Sequence, residues 1–375
     1  MPTQTEAIVV HESGQPWSLE EIELPDLAED EVLVEMVAAG KSQIIGMCYS
    51  DIKAGEGRFK AKPPMVLGHE GVGYVREAGK KVLELAAGDM VILSFACCTK
   101  CSYCMAGMSP YCQDIIKLNF GGQSCSRSLS PADKQGNSLM GSFFGQSSFS
   151  RVAIVNPSCA VKVELNDRED LKKLVLGCGL QTGAGSILNV AKPPVNSSIA
   201  IWGCGGVGLA AIMAAKLTSP KHLIVIETVS SKLAFATKYG ATHVINGLQE
   251  NVQQRIMEIT GGKGVDFALD CVGRQDILKL GQACLVAKGC LITVGGLGGQ
   301  DVVLYGDSII TKGLTYRGCH QGDSVPQLFI PKLVDLWKRG LFPVDEIQTY
   351  YRFTDYEEAL KDLRKGTAVK PVLIF

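Results

Sequence analysis

The stretch "SSIAIWGCGGVGLAAIMAAKL", Ser197–Leu217, decides the fold. Its opening apolar run predicts a fully buried strand. A glycine cluster follows, then an alanine-rich segment that suits a helix. Gly203, Gly205 and Gly208 take the G-x-G-x-x-G spacing between the two, with Gly206 and Val207 inside it. Alone, that spacing is a weak signal; between a strand and a helix it is informative. The first glycine permits a tight turn, the second lets a pyrophosphate approach the backbone, and the third seats helix against strand. N–H groups at the helix start then face phosphate. Glu227 ends the next apolar run, 19 residues beyond Gly208. A carboxylate there binds a ribose diol and repels a 2′-phosphate, which favours NAD over NADP. Lys232 lies close by and softens that preference.

Working outward, the pattern repeats. "HLIVIE", "HVIN", "VDFALDCVG" and "CLITVGG" read as strands, and "SSKLAFATKYG", "VQQRIMEITGG" and "ILKLGQACLVAKG" read as the helices between them. This α/β order indicates a Rossmann-type, doubly wound parallel sheet. The first third differs. "EVLVEMV", "GVGYVREAG" and "GDMVILSF" are short strands broken by glycine. The tail from "SVPQLFIPKLVDLWKRG" to "VLIF" mixes helix and strand. The expected plan is a dinucleotide-binding domain, 179–321, inserted in a mostly β domain, 1–178 and 322–375.

Composition narrows the function. The 375 residues suggest about two domains. A hydrophobic fraction of 46% builds large cores, and a net charge of -1 offers no broad footprint for nucleic acid or an anionic membrane. No uncharged apolar run reaches the roughly 18 residues that span a bilayer. The start, "MPTQTEAIVVHESG", does not read as a secretory signal. Fourteen cysteines in that setting point to a reducing, cytoplasmic compartment, with thiols as metal ligands or buried residues.

"CCTKCSYCMAGMSPYC" sets Cys98, Cys101, Cys104 and Cys112 at C-x2-C-x2-C-x7-C. Four thiolates on one short lobe suit a closed, structural zinc, with an iron–sulfur cluster or free thiols as the other readings. Cys97 is expected to point away. His69, in "PMVLGHEGVGYV", stands out among five histidines because glycines flank it and Glu70 adds an oxygen ligand. Cys48 precedes it by 21 residues, and Cys178 lies in "LGCGLQTGAG". Cys, His and Cys with an open fourth position would make a catalytic zinc set, but ligands scattered over 130 residues are not a spacing motif.

Taken together, "MCYSD", "GHEGVG", the cysteine ladder, "GCGLQTG" and "GCGGVG" resemble the zinc-dependent medium-chain alcohol dehydrogenases over nearly the whole chain. "GSFFGQSSF", "GCGLQTGAGSILN" and "GDSVPQLFIPKLVDLWKRGLFP" look like the aryl (benzyl) alcohol branch. The resemblance implies a Rossmann domain plus a mostly β, GroES-like catalytic domain. It implies two Zn2+ per chain, NAD rather than NADP, a small alcohol or aldehyde substrate, and a homodimer or homotetramer. Cys48, His69 and Cys178 would hold catalytic zinc, with Glu70 as a transient ligand and Asp51 orienting His69. Ser50 would pass the alcohol proton outward. Thr182 and Val294, Gly295 and Gly296 would line the nicotinamide, and Lys370 would stand for an arginine at the pyrophosphate. Phe95 and Phe143 would wall the substrate pocket, although Phe143, Phe144 and Phe149 also read as core. The implied reaction moves hydride between a primary, aromatic or allylic alcohol and NAD through a zinc-bound alkoxide. A secondary-metabolic carbonyl reductase and a catalytically silent NAD-binding zinc protein are the alternatives. Tyr49 and Lys53 depart from the basic residue and the histidine common at their positions. Lys41–Gly46 adds six residues before Cys48, read as a tolerated loop or as an exon-edge error.

Overall fold

The computed structural model describes residues 3–36, 44–121 and 130–374. The chain divides into two compact units. One comprises Met1–Cys178, Val325–Leu336 and Val344–Phe375; the other comprises Gly179–Ser324 and Trp337–Pro343. Among the described residues no helix is long and apolar enough to cross a membrane.

The second unit holds a six-stranded parallel sheet. Its spatial order is His243–Asn246, His222–Glu227, Ser198–Trp202, Val265–Asp270, Leu285–Thr293, Thr315–Gly318. In chain order from Ser198–Trp202 that is 3-2-1-4-5-6, the doubly wound arrangement, and every neighbouring pair is parallel. All five residues of Ser198–Trp202 are buried, which is why its sequence is apolar without alternation. Ala200, Trp202, Ile224, Ile226 and Ala268 share one core cluster. The order reverses between Ser198–Trp202 and Val265–Asp270, and ligands of such sheets bind outside the strand ends at that point. Two details differ from the sequence reading. The helix Gln275–Ala283 stops before "LVAKG", which belongs to strand Leu285–Thr293. The sixth strand, Thr315–Gly318, is exposed at every position and so carries no burial signature.

The first unit is built on an eight-stranded sheet. Its main path runs Gln348–Arg352, Lys370–Ile374, Ile44–Gly46, Gly71–Ala78, Val32–Glu35, Val152–Val155, with Met90–Leu93 and Ala160–Lys162 branching from Gly71–Ala78. Ser18–Leu24, Thr3–Val10 and Met65–Val66 form a second, smaller sheet. The two C-terminal strands pair in parallel across helix Tyr356–Lys365, as a parallel pair requires a crossover.

The extra segment before Cys48 is corrected in part. Lys41–Gln43 lie outside the described residues. Ile44–Gly46 are a strand rather than a loop, paired antiparallel with Val372–Ile374 and with Gly71 and Val72. The residues next to Met47 and Cys48 are therefore held in the sheet.

Candidate active site

Cys48 leaves strand Ile44–Gly46 and serves as the N-cap residue of helix Tyr49–Gly55. His69 sits between strands Met65–Val66 and Gly71–Ala78, and Cys178 closes the first long segment of its unit. Their ligand atoms lie within 4.8 Å of one another. His69 is fully buried, and its Nδ1 meets Asp51 Oδ1 at 2.8 Å. The same oxygen accepts the Gly68 N–H at 3.1 Å, and Asp51 Oδ2 accepts the Cys48 N–H at 3.0 Å. One carboxylate thus ties two ligand-bearing segments together. His69 Nε2 is buried without a hydrogen-bond partner. Such an atom is costly unless something satisfies it. Two sulfurs beside an orphaned imidazole nitrogen fit a zinc ion with three protein ligands.

These groups perturb one another strongly. The thiol of Cys178 holds Cys48 well below the ordinary thiol range, against the opposing effect of burial. The same contact, with burial, pushes Cys178 well above it. Burial works against charge on His69, but Asp51 and Cys48 outweigh it and hold its pKa high.

Glu70 and Lys370 form a buried ion pair beside these ligands. Burial opposes the Lys370 charge, but Glu70 and Cys48 outweigh it and keep the group an ammonium. An unpaired buried charge would be far more costly. Lys370, expected at a pyrophosphate, is therefore engaged by Glu70, and the Glu70 carboxylate is not among the three gathered ligand groups. Ser50 is half-buried in the first turn of helix Tyr49–Gly55. The Tyr49 hydroxyl donates to the carbonyls of Leu363 at 3.1 Å and Arg364 at 3.3 Å, capping helix Tyr356–Lys365. Phe95 and Phe143, expected on a pocket wall, are both enclosed in the core. Close packing around them leaves no open aromatic face there.

The second sulfur group is on a lobe of the same unit. Cys98, Cys101, Cys104 and Cys112 place their sulfurs within 4.8 Å of one another. The Cys98 N–H donates to Cys112 Sγ at 3.2 Å and the Cys101 N–H to Cys98 Sγ at 3.3 Å. Backbone N–H groups of Gln113 and Cys104 pull Cys101 down to about 6, while burial pushes Cys104 up. Cys97 is buried and is not one of the four.

In the second unit two positions of the glycine turn require glycine. Gly203 has φ +98°, a conformation that favours glycine. A Cβ on Gly208 would strike the Gly203 carbonyl oxygen, whereas a Cβ on Gly205 would meet open space. Gly206 and Val207 open helix Gly206–Lys216. Glu227 accepts N–H groups from Cys204 at 2.8 Å, Thr228 at 2.7 Å and Val229 at 3.0 Å. Burial raises its pKa, but these donors outweigh that and hold it low. The acid therefore ties the second strand to the glycine turn. Lys232 is half-buried on helix Ser230–Tyr239. Thr182 is buried, its hydroxyl 3.4 Å from Gln321 Oε1. The N–H groups of Val294 and Gly295 donate to the Asp270 carbonyl at 2.9 and 3.0 Å. A Cβ on Gly295 would strike the Gly273 nitrogen, and one on Gly273 would meet the Gly296 oxygen at 2.6 Å, so these two loops require glycine to pack.

Residues 28–164 match the alcohol dehydrogenase GroES-like domain, and residues 206–338 match the zinc-binding dehydrogenase family. Geraniol dehydrogenase of Castellaniella defragrans is 36% identical over 99% of this chain and 97% of its own length. The chain belongs to the zinc-dependent medium-chain alcohol dehydrogenases. The solved structure of an alcohol dehydrogenase zinc-binding domain protein from Burkholderia ambifaria is 37% identical and superposes with a TM-score of 0.94, covering 100% of this chain and 99% of that one. Benzyl alcohol dehydrogenase from Acinetobacter calcoaceticus is 36% identical with a TM-score of 0.89, covering 99% of each chain. This dehydrogenase is thus an oxidoreductase of a family that works with zinc and a nicotinamide cofactor.

Two residues support its candidate zinc site beyond their sequence reading, which singles out nothing at Gln146 and takes Phe144 as facing substrate or as core. Gln146 donates from Nε2 to the carbonyls of His69 at 3.0 Å and Ser94 at 2.5 Å, and its Oε1 accepts the Gly71 N–H at 3.2 Å. Phe144 stacks on the His69 ring at 4.5 Å between centroids. Both belong to "GSFFGQSSF", where the only local signal is a glycine, Gly145, after two aromatic residues.

Proposed function

We propose that this dehydrogenase interconverts primary aromatic or allylic alcohols and their aldehydes with NAD, holding two zinc ions per chain. The observation that carries this is the buried, unpartnered Nε2 of His69 facing the sulfurs of Cys48 and Cys178. The substrate class follows the geraniol and benzyl alcohol dehydrogenases to which the chain is similar at 36% identity. Cys48, His69 and Cys178 hold the catalytic ion, and the four-cysteine lobe holds the structural one. When bound, zinc makes an alcohol hydroxyl more acidic and the nicotinamide exchanges hydride with its carbon.

The protein's own groups do the rest. Asp51 fixes the imidazole tautomer of His69 by accepting at Nδ1, which leaves Nε2 as the ligand nitrogen. The Glu70–Lys370 pair keeps the flank of the site neutral overall. Ser50 moves the substrate proton outward. Lys53 stands where a histidine is common, and water completes that path. Gly203 to Gly208 receive the cofactor's phosphates, and Glu227 reads its ribose and favours NAD. No cysteine among the described residues is in a disulfide, in keeping with a cytoplasmic protein. The exposed edge strand Thr315–Gly318 suits a homodimer or homotetramer.

The test is turnover of benzyl alcohol and geraniol by zinc-loaded protein with NAD and with NADP. NADH formation that a zinc chelator abolishes is expected with at least one alcohol. No turnover of either alcohol, or a clear preference for NADP, would remove the reading or its cofactor assignment.

A further inference from the structure

We propose that Phe144 is a positioning residue for His69, its ring fixing the plane of the imidazole so that Nε2 points at Cys48 and Cys178. This rests on the assignment of those three residues as metal ligands. Phe144 has φ 54° and ψ 28°, in the left-handed region. A bulky residue is an outlier there, and such strain persists only where the surroundings over-determine it. The surroundings do so. The Ser147 hydroxyl accepts the Phe143 N–H at 2.8 Å and donates to the Val66 carbonyl at 2.6 Å. The N–H groups of Ser148 and Phe149 donate to the carbonyls of Gly68 and Leu67, both at 3.0 Å. Gln146 adds its bonds to His69 and Gly71. The segment from Phe143 to Phe149 is thereby fastened to the segment that carries His69.

The product of this strained turn is specific. The Phe144 and His69 rings stack with an interplanar angle of 23°. Phe143 meets the same imidazole edge-on, at 5.6 Å and 89°. Phe120 and Phe143 in turn brace Phe144 through T-shaped contacts at 5.1 and 4.9 Å. Burial of apolar area is non-directional and needs neither a left-handed backbone nor near-parallel rings. A fixed ring plane does need them. The Asp51 hydrogen bond anchors Nδ1 but, being deformable, lets the ring rock about its Cβ–Cγ bond. A ring stacked on its face removes that rotation, so the two constraints together aim Nε2.

The test uses full-length Phe144→Leu, Phe144→Met and Phe144→Tyr. Wild type and Cys178→Ser are loaded with cobalt(II) first. If they hold equal metal with equal spectra, the ligand assignment fails and this inference with it. If only wild type fills the three-ligand site, the Phe144 variants are read by their cobalt spectra and by metal release to a chelator. The four-cysteine site serves as internal reference. Expected for Phe144→Leu and Phe144→Met is release about tenfold faster from the three-ligand site, with shifted cobalt bands and an unchanged four-cysteine site. Phe144→Tyr, which keeps the stacked ring, is expected to retain wild-type release. Unchanged release and bands in Phe144→Leu and Phe144→Met, or equal acceleration at both sites, would overturn the positioning role while leaving the ligand assignment intact.

Discussion

Cys98, Cys101, Cys104 and Cys112 fall within 15 consecutive residues, whereas Cys48, His69 and Cys178 are spread over 130. Both groups gather their ligand atoms within 4.8 Å, in the same unit. They reach that geometry by different means. The lobe has one turn of α-helix, Ser102–Met105, with no buried residue, and a 3-10 turn, Ser109–Tyr111, that buries only Ser109 and Pro110, and it exposes Tyr103, Met105, Met108 and Tyr111. It has little core of its own, so an ion bound by the four sulfurs contributes directly to its folding. The three-ligand group stands on segments that adjoin sheet strands and helix starts, with His69 fully buried and Asp51 and Gln146 bonded around it. That framework is held by the protein's own bonds. In the proposed reading one site uses metal to make structure, and the other uses structure to present metal.

The sharpest way to break this contrast is to remove one ligand from each site. Cys178→Ser is expected to lower turnover by about 10³-fold, because Lewis acidity contributes several kcal/mol to the barrier. The thermal midpoint should move little, and metal analysis should find one zinc per chain, held by the lobe. A midpoint that collapses in Cys178→Ser would mean that the three-ligand site, too, is built by its ion. Cys104→Ser is expected to do the opposite. Losing about 3 kcal/mol of metal-linked stability would lower the midpoint by roughly 4 °C in a chain of this size. Limited proteolysis should then cut first between Cys98 and Cys112, while the residual folded enzyme retains its three-ligand metal. A Cys104→Ser protein with a wild-type midpoint would show that the lobe folds on its own.

The same contrast explains what could be read from sequence. The lobe is legible because its ligands share one short spacing. The glycine turn is legible because strand, turn and helix follow one another within Ser198–Lys216. Spacing alone did not assemble Cys48, His69 and Cys178; they were named together only through family likeness, since the sheet that converges them is built from pairings distant in sequence. The partner of Lys370 is hidden for a related reason. The lysine's strand position is local, but the Glu70 carboxylate that claims its charge is 300 residues away. The conformation of Phe144 gave no signal, because a left-handed backbone at a phenylalanine follows from tertiary bonds to residues 66–71 rather than from its own preference. The sixth strand, Thr315–Gly318, lacked a pattern because it lies exposed at the sheet edge.

The finest distinction between the two sites lies in what stands behind the ligands. At the lobe, cysteine sulfurs accept from backbone N–H groups, which no side-chain substitution removes. At the three-ligand site the support is a side chain, Asp51, shared by the His69 ring and the Cys48 and Gly68 N–H groups. Asp51→Asn keeps the shape but halves the acceptor capacity and removes the charge that favours a cation there. Its amide must also turn an N–H toward one of three donors, leaving that donor buried and unpaired. The expected cost is about 10–100-fold in zinc affinity at the three-ligand site, with no change at the lobe. Competition with a chelator, following the two ions separately, measures it. Equal losses at both sites would mean that Asp51 supports the whole unit. No loss at either would mean that the sheet alone, through the strands flanking Cys48 and His69, presents the metal.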